Sequence, residues 1–222
     1  MNYLSLTNKF LIETGVSNEV TTLTDASDDI VQAAHWIDSA WASFQRSRQW
    51  PFRRAEGSID VTAGKTAYTF ANLGLAVGDI ITPHSFYNSA GSIEQLSYIR
   101  LRELRRAPAN LDTSRVSKVA VRSGELNTYP DVATTQTVAF DYLKGVQTLT
   151  GDDAVPYGLT ADFHMLIVHA AVAKYGVSAG GDEGILLYRH HAQEFKTMRQ
   201  DYQLYAGIDG EEDMPPTRNT LL

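Results

Sequence analysis

No cysteine occurs in this chain, which removes disulfides and thiolate metal sites from consideration. A cationic excess is missing too: 19 lysines and arginines stand against 26 aspartates and glutamates, a formal net charge of −7. Neutralising a phosphate backbone takes surplus Lys and Arg, so the balance argues against a general nucleic-acid binder. Long hydrophobic runs are also absent. No window approaches the roughly 20 apolar residues of a membrane helix, and the richest, 163–173, is short and holds His164 and His169. The opening M-N-Y-L-S-L-T-N-K-F-L-I-E-T-G has no basic leader followed by a continuous apolar run, because Asn8, Lys9 and Glu13 interrupt it. It does not read as a signal peptide. The expectation is a soluble protein, assembled inside the cell, with no membrane partner.

Catalytic signatures are equally scarce. There is no G-x-S-x-G elbow and no nucleophile with a base at recognisable spacing. Gly64-Lys65-Thr66 copies the end of a P-loop, but Ile59 stands where the first glycine belongs, and Ala67-Tyr68-Thr69-Phe70 reads as a strand rather than the helix that motif needs. A hairpin turn is the better reading. His164 and His169 are five apart, so on a helix they point about 140° from each other and form no i, i+4 metal pair. His190 and Glu194 do share a face, with His191 adjacent, but no third ligand is near in sequence, and a solvated helix face is the preferred reading. Asp152-Asp153 before Pro156 reads as a turn rather than a catalytic carboxylate pair. The expectation is therefore no enzyme, no metal and no cofactor.

What is present is the composition of a globular chain: 43% apolar and 20% charged residues over 222 positions, enough for one domain or one domain with an insertion. Residues 3–14 read as a short helix ended by Gly15, followed by a loop over 16–24. A second helix begins near Asp25 or Ser27, carries Asp28 and Asp29 in its first turn, and buries Ile30, Ala34, Ile37, Trp41 and Phe44 on one face. It ends before Trp50-Pro51.

The pattern then changes to period two. Ile59/Val61 and Tyr68/Phe70 around Ala63-Gly64-Lys65 read as a β-hairpin. Val77 to Tyr87 reads as an edge strand carrying Pro83, and Asn88 to Gly91 as a turn. Tyr98, Ile99 and Leu101 read as a strand running into a short helix. Lys118–Arg122, Leu126–Tyr129 and Thr137–Leu143 complete the strands. Thr160 is a good N-cap for a third long helix, apolar on most faces. After Gly180-Gly181 comes a fourth, with Ile185, Tyr188, Ala192, Phe195, Met198, Tyr202 and Tyr205 as one stripe. The last stretch has no periodicity, and its Ile208, Met214, Leu221 and Leu222 read as spaced anchors for a partner.

The fold class expected is α+β: a four-helix-type bundle with an inserted antiparallel β subdomain and an extended C-terminal tail. The bundle takes 1–50 and 150–206, the β subdomain 51–149, and the tail arm 207–222. Two basic clusters, Arg46, Arg48, Arg53 and Arg54, then Arg100, Arg102, Arg105 and Arg106, are possible patches for an acidic protein partner.

The order of these features resembles a known family. Trp41, Phe44, Trp50 and Phe52 close a helix; V-T-A-G-K-T-A-Y-T-F follows at 61–70, F-D-Y-L-K-G-V-Q-T-L at 140–149, and P-Y-G-L-T-A-D-F-H-M-L-I-V-H-A-A-V-A-K-Y at 156–175. Together they resemble the head-to-tail adaptor (connector, head-completion) proteins of tailed bacteriophages. Thr69-Phe70-Ala71 departs from the Leu-Pro that often follows the tyrosine there. The resemblance implies a structural virion protein, assembled in the host cytoplasm, with neighbouring adaptor subunits forming a ring of around twelve copies under the portal protein. It implies that the tail arm, through Ile208, Met214, Pro215, Pro216, Arg218, Leu221 and Leu222, clasps the portal. Tail or nozzle proteins would meet the other side, and DNA would pass the acidic lumen without specific binding. A tail-completion or terminator ring, or another phage structural protein, is the alternative; a cell-wall hydrolase or nuclease is a third reading.

Overall fold

The computed structural model describes residues 1–24, 27–88, 94–105 and 113–208. In chain order the helices are α1 (Tyr3–Thr14), α2 (Asp28–Arg46), α3 (Leu101–Leu104), α4 (Met165–Ala179) and α5 (Gly181–Tyr205). The strands are β1 (Arg54–Val61), β2 (Ala67–Thr69), β3 (Ile80–Ile81), β4 (Tyr87–Asn88), β5 (Glu94–Gln95), β6 (Ser97–Tyr98), β7 (Lys118–Arg122), β8 (Glu125–Tyr129) and β9 (Gln136–Leu143). They fall into two compact units: Met1–Phe52 with Val146–Leu222, and Arg53–Gly145.

The first unit is helical. Asn2 caps α1 by accepting from the Ser5 amide at 2.9 Å, and Gly15 closes it in the left-handed region at φ 65°. Helix α2 buries Ile30, Ala33, Ala34, Ile37, Ala40, Trp41 and Phe44 at three- and four-residue steps. Helix α4 is the centre: Leu166, Ile167, Val168, Ala170, Ala171, Val172, Ala173 and Gly176 are all buried, and it packs on α1, α2 and α5. Its small residues let three helices approach at once. At one end of this core lies an aromatic cluster. Trp50 stacks on Phe44 at 4.4 Å between centroids, Tyr202 meets Trp50 at 5.5 Å, and Trp41 stacks on Phe52 at 5.8 Å. Trp50 donates its indole N–H to the Phe44 carbonyl at 2.7 Å, closing the end of α2. Gly158 at φ 71° lies against Phe52, where an added Cβ would stand 2.4 Å from the Phe52 Cβ.

The loop 146–160 is docked by side chains. Gln45 and Gln147 bond reciprocally, Gln45 Nε2 to the Gln147 carbonyl at 2.9 Å and the Gln147 amide to Gln45 Oε1 at 2.8 Å. Gln147 Oε1 accepts from Trp41 Nε1 at 3.0 Å and from the Tyr157 amide at 2.9 Å.

The second unit has two sheets around one core. In the first, β9 is central, with β1 antiparallel along one edge and β3 and β4 along the other; β5 follows β4. The second runs β2-β8-β7-β6. Val61, Tyr68, Ile81, Phe86, Val119, Leu126, Val138 and Phe140 are buried together between them. Gln136 is the polar tie. Its Oε1 accepts from Asn88 Nδ2 at 2.9 Å and from the Val116 amide at 3.0 Å, and its Nε2 donates to the Ser114 carbonyl.

Several expectations are corrected. The hairpin around Ala63-Gly64-Lys65 does not form: β1 pairs with β9 from Arg54↔Leu143 to Val61↔Gln136, and β2 pairs with β8. The turn exists, with the Lys65 amide on the Thr62 carbonyl at 3.2 Å, but it carries the chain from one sheet to the other. Alternation specifies a buried face, not the partner strand. The strand over Val77–Tyr87 is broken into β3 and β4, because Pro83 donates no N–H and His84 turns the chain at φ 66°. The insertion is not purely antiparallel, since β6 runs parallel to β7. Thr160 precedes a 3-10 turn over Ala161–Phe163 and makes no side-chain cap bond.

The apolar stripe expected on α5 is displaced as well. Gly184, Leu187, His191, Phe195, Met198 and Tyr202 face the core, while Ile185 is 47% and Tyr205 65% exposed. The cause is a backbone contact. A Cβ at Gly176 would lie 2.6 Å from the Gly184 carbonyl oxygen, and one at Gly184 would lie 2.5 Å from the Gly176 oxygen. Only paired glycines let α4 and α5 meet there, and that contact sets which face of α5 turns inward.

Candidate functional site

The residues singled out for chemistry become structural ones. Gly64 donates its amide to Asp131 Oδ1 at 2.8 Å, as a turn residue does. Asp152 accepts from Thr22 Oγ1 at 2.7 Å and from the Leu23 amide at 3.0 Å, holding the 22–24 segment against the loop. Asp153 takes a 3.4 Å contact from Asn2 Nδ2. Buried His164 bonds the Leu159 carbonyl through Nε2 at 2.9 Å, and burial keeps its pKa below the ordinary value.

The basic candidates divide. Arg46 in the last turn of α2, Arg54 at the start of β1, and Arg102 and Arg105 in and after α3 are exposed. Arg48 and Arg53 are not surface patches, at 5% and 7% exposure. Arg53 donates Nε and Nη2 to the Lys144 carbonyl at 2.9 and 2.7 Å, while the Lys144 amide donates to the Arg53 carbonyl at 2.7 Å. It staples the ends of β1 and β9. Arg199, near Arg48, has its pKa pushed down by burial and then by that like charge. Arg106 lies outside the described residues.

In the expected tail arm, Ile208 is 7% exposed and belongs to the helical core. Its amide returns to the Gln203 carbonyl at 3.0 Å, after Gly207 turns at φ 64°. This corrects the reading of Ile208 as a partner anchor and moves the start of any arm beyond it. Met214, Pro215, Pro216, Arg218, Leu221 and Leu222 lie outside the described residues.

The surface best suited to protein contact is the outer side of α5. This helix of 25 residues buries only Gly184, His191 and Tyr202. Ile185, Leu186, Tyr188, Leu204 and Tyr205 stay exposed on it, as does Val177 on α4. Beside it, Thr14, Glu183, Leu186, Leu187 and His190 line a shallow groove. The sequence reading did not single out Leu186 and Leu204, and placed Ile185 and Tyr188 on one stripe with the buried Tyr202. The signal that could have found them is the Gly176/Gly184 spacing across the Gly180-Gly181 turn.

The expected solvated face at His190–Glu194 also needs correction. His190 is exposed, but His191 is 2% exposed and meets His169 of α4, Nδ1 to Nδ1, at 2.8 Å. No group of three or more His, Cys, Asp or Glu with metal-holding geometry occurs among the described residues. Among those residues no helix is long and apolar enough to cross a membrane.

Helix α4 is thus apolar nearly all round, and α5 leaves half of its apolar residues in solvent. The chain matches the family described as the SU10 adaptor protein over residues 1–219, and it belongs to that bacteriophage head-to-tail adaptor family. No curated protein matches it in sequence. It is a phage adaptor and a virion component.

Proposed function

We propose that this adaptor forms a ring of around twelve subunits at the head–tail junction. The ring docks on the portal protein through the segment after Ile208 and carries tail or nozzle proteins on its other side. DNA passes its lumen without specific binding, and the protein performs no catalysis. The four long helices act as a bundle forming the ring wall. The observation that carries this reading is the family match across nearly the whole chain. Three features support it. Residues 209–222 combine acids, Pro215-Pro216 and spaced apolar side chains, a composition suited to folding on a partner. The outer side of α5 exposes large apolar side chains, as a head-to-tail subunit contact needs. A net charge of −7 suits a channel that must not retain DNA.

The test is truncation immediately after Ile208, with co-sedimentation against assembled portal as the readout. Loss of portal binding, with an unchanged helical circular dichroism spectrum, is expected. Undiminished binding would remove the portal-clasp role from this segment. For the ring wall, Leu186→Glu with Tyr188→Glu should leave the protomer folded and abolish higher oligomers in native mass spectrometry. Oligomers that persist would place the subunit contact elsewhere.

A further inference from the structure

The two ends of α5 are held by different chemistry. The C-terminal end is pinned by Tyr202, 3% exposed among Phe44, Trp50, Phe52 and Phe163. The N-terminal half has no such ring in its seam. There Gly184 lies flat on Gly176, and the next fully buried residue is His191. His191 joins His169 at 2.8 Å, with rings tilted by 34°. Its Nε2 faces Glu13 Oε2 of α1 at 3.9 Å, and the His190 ring sits edge-on at 4.8 Å. Glu194 completes the charged groups around the pair. His169 of α4 and His191 of α5 therefore meet on one polar contact inside the bundle, and Glu13 of α1, 39% exposed, faces it from the rim.

We propose that His169, His191 and Glu13 form an acid-released latch that frees the N-terminal half of α5 from α4 and α1 while its C-terminal half stays docked. A single hydrogen must lie between the two Nδ1 atoms. When both rings are neutral, one donates and the other accepts. After one proton is added at an outer nitrogen, the shared hydrogen remains, and Glu13 and Glu194 offset the charge. After a second, N–H faces N–H and two cations stand 2.8 Å apart, so attraction becomes repulsion.

The sign follows from burial. His169 is held below the ordinary histidine value by burial first, against the pull of Glu194 and Glu13. His191 is lowered by burial and then by His169. A group whose folded pKa is depressed binds fewer protons closed than open. The closed state keeps its full advantage above the ordinary value of about 6.5 and loses it as pH falls through the lowered folded values. Tyr202, pushed up to about 12 by burial and by Tyr205, takes up no proton on acidification, so the aromatic end does not follow.

The test is amide hydrogen exchange of the full chain from pH 7.5 to 5.0, corrected for intrinsic rates, with EDTA present. Peptides covering 181–192 should open with falling pH, by up to about tenfold per pH unit for each proton taken up. Peptides covering 196–205 should show no such slope. His169→Asn with His191→Asn keeps a non-titrating donor–acceptor pair at the Nδ1 positions and should abolish the slope. Glu13→Gln, read down to pH 4.0, lowers the folded values further and leaves the open ones unchanged, so it should extend the acid end of the slope by ~0.5 pH unit. Equal slopes at both ends of α5, a slope surviving the double variant, or a slope seen only without EDTA overturns the latch. If the double variant does not fold, Glu13→Gln decides, and an unextended slope overturns it.

Discussion

The helical unit and the β unit each hold a glutamine at a junction, and the two glutamines do different work. Gln147 is half-buried and docks a loop onto helices whose backbones are already satisfied. Gln136 is 6% exposed and joins β9 to Asn88 of β4 and to the 114–116 segment. Helices close their own backbone bonds, so side chains there attach what lies outside them. Strands of two residues close very few, so a buried amide must complete the sheet. One unit is held by apolar contact along local stripes, the other by pairings between distant segments.

The sharpest way to break this contrast is Trp50→Ala. The ring is fully buried and stacked on Phe44, so removal should cost about 3–5 kcal/mol, read by denaturant unfolding. Exchange protection in 118–143, measured separately, then reports whether the β unit survives. Loss of both together would make the units one cooperative body. Gly176→Ala comes next, at ~3 kcal/mol, because its Cβ would meet the Gly184 carbonyl and the Tyr188 amide, which are backbone and cannot step aside.

In the β unit, Gln136→Ala should cost about 1–3 kcal/mol by removing its buried bonds to the Asn88 amide, the Val116 N–H and the Ser114 carbonyl. Gln147→Ala, where water can reach, should cost ~1 kcal/mol. Equal costs for the two glutamines would erase the distinction. The smallest effect belongs to the end of the chain. Truncation after Ile208 should change stability by less than ~0.5 kcal/mol, whereas truncation after Ala206 also removes buried Ile208 and should cost ~2 kcal/mol in the same denaturation assay.

The helical unit was largely legible in the sequence. Gly15, the aspartates at the start of α2, and the Ile30-to-Phe44 face carry their signals within a few turns. Strands β7, β8 and β9 were legible as segments for the same reason. The hairpin misreading shows where this stops: β1 and β2 are neighbours in sequence, but their partners lie in 136–143 and 125–127. The candidate surfaces were less legible still. Arg53 reads as a surface cation until the Lys144 carbonyl, 91 residues away, takes up its guanidinium. Ile208 reads as a loose anchor until the turn at Gly207 folds it back onto the core.

By itself the sequence determined which segments are helical, that α4 is the buried one, that thiol chemistry is out of reach, and the order of features that marks the adaptor family. These follow from composition and from periodicities that repeat within a few residues. The tertiary structure alone decided which strand each β segment joins, which face of α5 turns inward, and that His169 meets His191. Those outcomes depend on contacts between residues far apart in the chain. A backbone approach at Gly176 and Gly184 rotates a whole helix and so chooses, for every side chain along it, between core and solvent.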